Sequence, residues 1–413
     1  MIMKKILCFC IGLLCCVGLS GCQFKDLGLA SEVLSGFQSQ LSTIIPENAE
    51  IVEIEVEEYY VWSPEYDACY NTLNSKQKEI YKIFYAAAEQ MPEGFIKVCE
   101  DYDNATRDIH LAYTAMLNDN TEIFWMPATY LIGRTSGIKD NVNIAFSYKS
   151  DKNSASYMVS KADRDKKRSE LEKKVEKIID SVSGIEDQYE IEKTFNDYIC
   201  GNTQYDVNAA LANTAYGCLV SGRALCEGYS RAFKLLCNKA GIECDLISGI
   251  SQGEGHMWNT VNIDGIHSFV DVTWNDSSED LMYLYFNITE EQLLYDHSFS
   301  PLFSTLSSEE ICGGKSYNFV ERKCTFTGNN YFAKNDLVLD YGYAEKAAEA
   351  INLDAGEGMG STAFLIDNDD LKKNLKTDIA GVLGKIQILT PGVTINQYIF
   401  ERDVLVVFYV VSD

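Results

Sequence analysis

The chain has 413 residues, 46% of them hydrophobic, with only 6 prolines and a formal net charge of −26. That length and apolar content can bury a sizeable core and suggest two or three domains. The negative charge excludes nucleic acid and anionic lipid headgroups as natural partners, and its even spread along the chain is that of a solvated surface.

The first 22 residues have the pattern of a targeting segment. Lys4 and Lys5 precede the apolar run "ILCFCIGLLCCVGL", which is short for a membrane span. The run ends in "LSGC", which resembles a bacterial lipobox, where cleavage falls just before a lipidated cysteine. On that reading residues 1–21 are a lipoprotein signal peptide and Cys22 anchors the mature chain to the outer face of a bacterial membrane. An ordinary signal peptide is the alternative. Residues 22–50 then form a tether ending near Pro46.

An N-terminal α+β region is expected over 51–160. "EIVEIEVEEYYVW" alternates as a strand does, "SKQKEIYKIFYAAAEQ" has helical spacing behind a Ser cap, a second helix follows near 107–118, and "NVNIAFSY" alternates again. A catalytic domain is expected over 161–310. It opens with a charged amphipathic helix over 163–182, whose Leu171, Val175, Ile178 and Val182 share one face. A helix over 187–200 comes next, and another begins at "SGRALCEGYS", stopped by Gly241. Three strand-like runs follow, "CDLISGI", "HMWNTVNI" and "HSFVDVTW". Residues 325–413 mix helical runs ("YAEKAAEAI", "DDLKKNLKTDIAGVLGK") with strands ("TAFLID", "VLVVFYVV"), which predicts a separate α+β domain.

Of 14 cysteines, nine lie beyond Cys22. They show no CxxC pair and no Cys/His grouping at zinc spacing, so no metal and no cofactor is expected. Cys237 with Cys244 and Cys312 with Cys324 are close enough in sequence to bridge, if the compartment is oxidising.

Among these thiols Cys226 is set apart by what lies downstream. Asp264-Gly265 between two apolar alternating runs is a strong signal for a two-residue hairpin turn. That turn pairs Ile263 with Ile266 and makes His256 and Asp271 diagonal neighbours on one face, with Cβ atoms about 7 Å apart or less. A one-residue slip would put them on opposite faces. Cys226 falls at the expected start of its helix, where the dipole favours a thiolate. A thiolate nucleophile, an imidazole base and an orienting carboxylate can divide the labour of acyl transfer. The Cys226 backbone N–H is the natural oxyanion donor, with Gln204 or Tyr216 as a further candidate; Trp258 is expected to pack, with a place in the cleft wall as the alternative. Glu227 suits the helix dipole but opposes a neighbouring thiolate. His110 and His267 are expected at the surface, and His297 as a brace at the domain edge.

The segments "AYGCLVSGRALCEGYSRAFKLLCNKAGIECDLISG", "GHMWNTVNIDG" and "FVDVTWND" closely resemble the bacterial transglutaminase-like superfamily, most specifically in "CEGYS", His-x-Trp-Asn and "VDVTW". Asn275 stands where that pattern more often has Asp. The resemblance is strong over about 190–300, weak over 75–160 and absent over 325–413. It implies a papain-like α+β fold, with the cysteine helix packed on an antiparallel sheet. Residue by residue it implies Cys226 as nucleophile, His256 as base and Asp271 as orienting acid. The resemblance implies acyl transfer without separating cross-linkers, peptidases and deamidases; because nothing marks an amine tunnel or a calcium loop, hydrolysis of peptide-like or cell-wall amides in a protein, peptide or peptidoglycan-like substrate is expected. Protein cross-linking, or a non-catalytic surface binding role on the same fold, are the alternatives.

Overall fold

The computed structural model describes residues 43–45, 50–56, 63, 66–100, 105–127, 130–135, 141–146, 160–276, 283–299, 319–320 and 322–411. The targeting segment, Cys22 and Cys312 lie outside them. Among the described residues no helix is long and apolar enough to cross a membrane.

The N-terminal part is a five-stranded sheet with helices packed on it. Its strands β1 (Thr43–Ile45), β2 (Ile51–Val52), β3 (Phe95–Cys99), β4 (Tyr130–Thr135) and β5 (Val142–Phe146) run in the order β1-β4-β5-β3-β2. Of the long strand expected over 50–62, the described residues 50–56 are strand at Ile51–Val52 and not over 53–56, residues 57–62 lie outside the described residues, and β1 falls within the stretch expected to be tether. Helix Ser75–Gln90 starts where Asn74 and Gln77 exchange side-chain and backbone hydrogen bonds, so Asn74 and not Ser75 is the cap. Against this helix packs Ala105–Asp119, whose His110 is buried with its Nδ1 2.5 Å from the Tyr130 hydroxyl, not at the surface.

Helices Lys161–Ser181 and Gln188–Asn202 lead into the central part. Two short strands, β6 (Gln204–Tyr205) and β7 (Arg223–Ala224), pair in parallel, and helix Cys226–Lys239 follows directly. Strands β8 (Cys244–Ser251), β9 (Glu254–Ile263), β10 (Ile266–Val270) and β11 (His297–Phe299) form an antiparallel sheet in the order β10-β9-β8-β11. The hairpin has the expected register, Ile266 opposite Ile263 and Val270 opposite Asn259, around Asp264 and Gly265 at φ 53° and 85°. The cysteine helix is bound to β9: Ser230 Oγ donates to Met257 O (2.8 Å), and Asn259 Nδ2 donates to Ser230 O (3.0 Å).

One apolar cluster runs from Tyr70, Phe84 and Trp125 through Phe195 and Phe233 to Val261 and Phe286, so the N-terminal and central parts share a core. The C-terminal part has its own, including Leu339, Ile351, Phe364, Ile386 and Leu405. Its strands β12 (Val338–Leu339), β13 (Ser361–Ile366), β14 (Val393–Glu401) and β15 (Val404–Val411) lie in the order β12-β13-β15-β14. The run expected as "DDLKKNLKTDIAGVLGK" is two helices, Asp369–Thr377 and Ile379–Ile388, because Asp378 caps the second by accepting from Gly381 N. The chain is therefore α+β throughout.

Candidate active site

Cys226 is the first residue of its helix, after Leu225 in extended conformation. Two glycines of the surrounding sequence are required by close approach. A Cβ on Gly228 would lie 2.2 Å from Ala212 O and 2.9 Å from the Ala224 Cβ, and one on Gly217 would lie 2.2 Å from Leu211 O. Leu225 N also donates to Ala212 O at 2.9 Å, so the loop before Cys226 is clamped. Gly228→Ala should destabilise the protein by about 2 kcal/mol or more, since the colliding atom is backbone and cannot swing away. Urea unfolding of the variant measures this, and an unchanged midpoint would refute the clamp. Glu227 accepts from Arg231 Nη2 at 2.8 Å, which offsets its charge beside the thiol.

His256 Nε2 lies 2.6 Å from Asp271 Oδ2, and the Cys226 thiol is close enough to the ring to influence its charge. Asp271 does not continue the strand as expected. The strand ends at Val270, and Asp271 caps a short helix, Val272–Asn275, accepting from Trp274 N at 3.1 Å. One oxygen of the carboxylate is thus fixed by backbone and the other faces His256. Burial opposes charge on His256, but Asp271 and the Cys226 thiol outweigh it and raise the imidazole to about 10. Burial likewise opposes charge on Asp271, but His256 and His297 hold it well below the usual carboxylate range.

Asn275, the departure from the commoner sequence, is buried and fully used. It donates to Asn196 Oδ1 (2.9 Å) and accepts from Tyr285 N (3.0 Å), bracing the turn that presents Asp271.

The structure separates the remaining candidates. Gln204 is exposed on β6, and its neighbour Tyr205, absent from the sequence expectation, is close enough to Cys226 for the two to act on each other. Although half exposed overall, Tyr205 is pushed up to about 12 by burial and by the neighbouring thiol, so it is an O–H donor near neutrality. Tyr216 points elsewhere, its hydroxyl donating to Glu170 at 2.7 Å. Trp258 is no cleft wall. It is 0% exposed beneath His256, because Gly249 lies flush on its ring and β11 covers that side of the sheet. His267 is half-buried and lowered by burial.

His297 was expected at the domain edge and instead joins the centre. Its Nε2 is 3.1 Å from Asp271 Oδ2 and its Nδ1 2.6 Å from Asp296 Oδ1. The adjacent Asp-His pair was visible in the sequence, but the pairing of β11 with β8 that delivers it is not. Ligand atoms of His256, Asp271 and His297 lie within 4.8 Å of one another. The 2.6 Å contact between His256 and Asp271 is a charge-assisted hydrogen bond, well inside the roughly 3.3 Å that separates ligands around a tetrahedral zinc ion. Cys237 and Cys244, expected as a possible pair, are free thiols.

Residues 176–275 match the model of the transglutaminase-like superfamily. The chain is similar to the kyphoscoliosis peptidases of Mus musculus (30% identical) and Homo sapiens (29%), each over 100 residues that cover 20% of this chain. It spans only 15% of the length of those relatives. A crystal structure of a TGase overlaps 43% of this chain and 50% of its own, at 15% identity and a TM-score of 0.26. The stretch that matches the transglutaminase-like model, residues 176–275, holds Cys226, His256 and Asp271.

Proposed function

We propose that the protein is a cysteine acyl-transfer enzyme that hydrolyses peptide-like or cell-wall amides through a thioester. The observation that carries this reading is the 2.6 Å pairing of His256 with Asp271 beside Cys226, built where a helix start meets a sheet. His256 takes the thiol proton, and the thiolate attacks the amide carbonyl. The C–N bond then breaks as His256 returns the proton to the leaving amine, leaving a thioester on Cys226. A water molecule, deprotonated by His256, attacks the thioester and releases the carboxylic acid and the free thiol. Negative charge on the carbonyl oxygen in each addition is met by the Cys226 backbone N–H, with the Tyr205 hydroxyl alongside as a second donor. If an amine replaces water in the last step the product is a cross-link. Hydrolysis is favoured because the sequence marks no amine tunnel and no calcium loop.

The "LSGC" sequence supports attachment through a lipid on Cys22 to the outer face of a bacterial membrane, which would place peptide and peptidoglycan-like substrates within reach. Equal retention of a Cys22→Ala variant in the membrane fraction would refute the anchor.

The test is turnover of a panel of peptide and peptidoglycan amides, with and without an added primary amine, beside labelling by a thiol-directed probe. Labelling should vanish in Cys226→Ala, and acid should be released without amine incorporation. An inert Cys226 refutes the enzyme reading, and dominant amine incorporation favours the cross-linker.

A further inference from the structure

The side of Asp271 away from the cysteine is occupied by a second charged series that starts in the C-terminal part of the chain. Arg402 sits at the tip of the β14–β15 hairpin, with Glu401 paired to Val404 and only Arg402 and Asp403 between them. Both tip residues have positive φ, 53° and 61°, in a turn that favours Asn-Gly. A non-glycine pair there costs backbone strain, and such strain persists only where the surroundings over-determine it. Here they do. Arg402 Nε lies 3.3 Å from Asp296 Oδ2, its Nη2 donates to Gln292 O (2.5 Å), and its guanidinium lies 4.1 Å from the Tyr285 ring centroid. Asp403 is held in turn by Lys372 at 2.8 Å.

Asp296 accepts from the Tyr285 hydroxyl at 2.8 Å and faces His297 Nδ1 at 2.6 Å. His297 Nε2 faces Asp271 at 3.1 Å. A carboxylate only accepts, so both ring nitrogens must donate and His297 is an imidazolium. The charged and titratable groups around it are Asp271, Asp296, His256 (ring centroids 5.5 Å apart) and Tyr285, with Arg402 behind Asp296, and the other facing rings are Trp258 and Trp274. Asp271 Oδ2 therefore receives two imidazole donors, one toward the cysteine and one toward the C-terminal hairpin. Arg402, Asp296 and His297 all lie outside the residues that match the family model.

We propose that Arg402, acting through Asp296 and His297, is a positioning residue for the Asp271–His256 pair, and that the C-terminal part is thereby a component of the active centre rather than an appended binding module. The inference rests on the triad reading given above. If the series loosens, Asp271 holds the His256 imidazolium less well, and the thiolate it stabilises on Cys226 forms at higher pH.

The test uses the full-length chain. Iodoacetamide alkylation of Cys226 is followed by mass spectrometry from pH 4 to 10 in the wild type, Arg402→Ala, Arg402→Lys, His297→Gln and the double variant Arg402→Ala/His297→Gln. Arg402→Ala should slow alkylation at pH 7 by about tenfold, move the acid inflection up by about one pH unit, and be largely rescued by Arg402→Lys. His297→Gln keeps a donor toward Asp271 but breaks the link to Asp296, so adding Arg402→Ala to it should cause no further shift. Additive shifts, or a rate lowered by one factor at every pH with the inflection unmoved, would overturn the proposal while leaving the triad intact. A wild-type Cys226 that reacts no faster than a simple thiol would overturn the triad reading and this inference with it.

Discussion

His256→Ala should lower amide turnover by about 10⁴- to 10⁶-fold, and adding Cys226→Ala to it should cost almost nothing more. The size follows from the two roles of one ring. In the proposed mechanism the imidazole takes the proton from the thiol and returns it to the departing nitrogen, so its loss would disable both attack and departure. Non-additivity follows because either change leaves only the donors that remain, the Cys226 backbone N–H and the Tyr205 hydroxyl. Steady-state kinetics on whichever amide the panel identifies, for both single variants and the double, make the measurement. Strictly additive losses would mean that Cys226 and His256 act in separate steps. The 2.6 Å His256–Asp271 contact and the influence of the nearby thiol on the ring argue against that outcome.

Much of this centre could be read from local patterns. Asp264-Gly265 demanded a hairpin turn, the turn dictated its register, and the register put His256 beside Asp271. The path to that contact differs in one respect. Alternation seemed to carry "VDVTW" on as strand, whereas Asp271 stops it by capping Val272–Asn275, a competition that alternation does not register. Asp378 splits the expected C-terminal helix by the same device. What escaped the sequence is held by contacts distant along the chain. His297 reaches Asp271 only because β11 pairs with β8, and Arg402 reaches Asp296 only because the β14–β15 hairpin lies against residues 285–296. Tyr205 was missed for a related reason. The short parallel pairing of β6 with β7 presents it, not Gln204, to Cys226. Trp258 packs, and its alternative place in the cleft wall falls away because both faces of this sheet are covered, so the side opposite the main core is no guide to solvent.

Asp271→Ala should destabilise the protein by about 3–5 kcal/mol near pH 5, with the loss shrinking as the pH rises. In the wild type the folded imidazole of His256 is raised to about 10. Its contribution to stability is therefore complete below the unfolded value of about 6.5 and is lost as the pH climbs through 10. The folded carboxyl of Asp271 is depressed, so its contribution is present above the unfolded value of about 3.9 and is lost as the pH falls through the lower folded one. Both contributions overlap fully between about pH 4 and 6.5. Alanine at 271 leaves two buried imidazoles 5.5 Å apart with no carboxylate between them. His297 keeps Asp296, so burial and repulsion by His297 then depress His256, and a depressed histidine destabilises the fold below its unfolded value, where the unfolded chain binds the proton more readily. The difference in unfolding free energy between wild type and variant should thus be greatest near pH 5 and fall steadily toward pH 10. Urea titrations at pH 5, 7 and 9 give the curve. A difference that is flat with pH would mean that the variant loses only packing, and that the charged series through Asp271 contributes nothing to the fold.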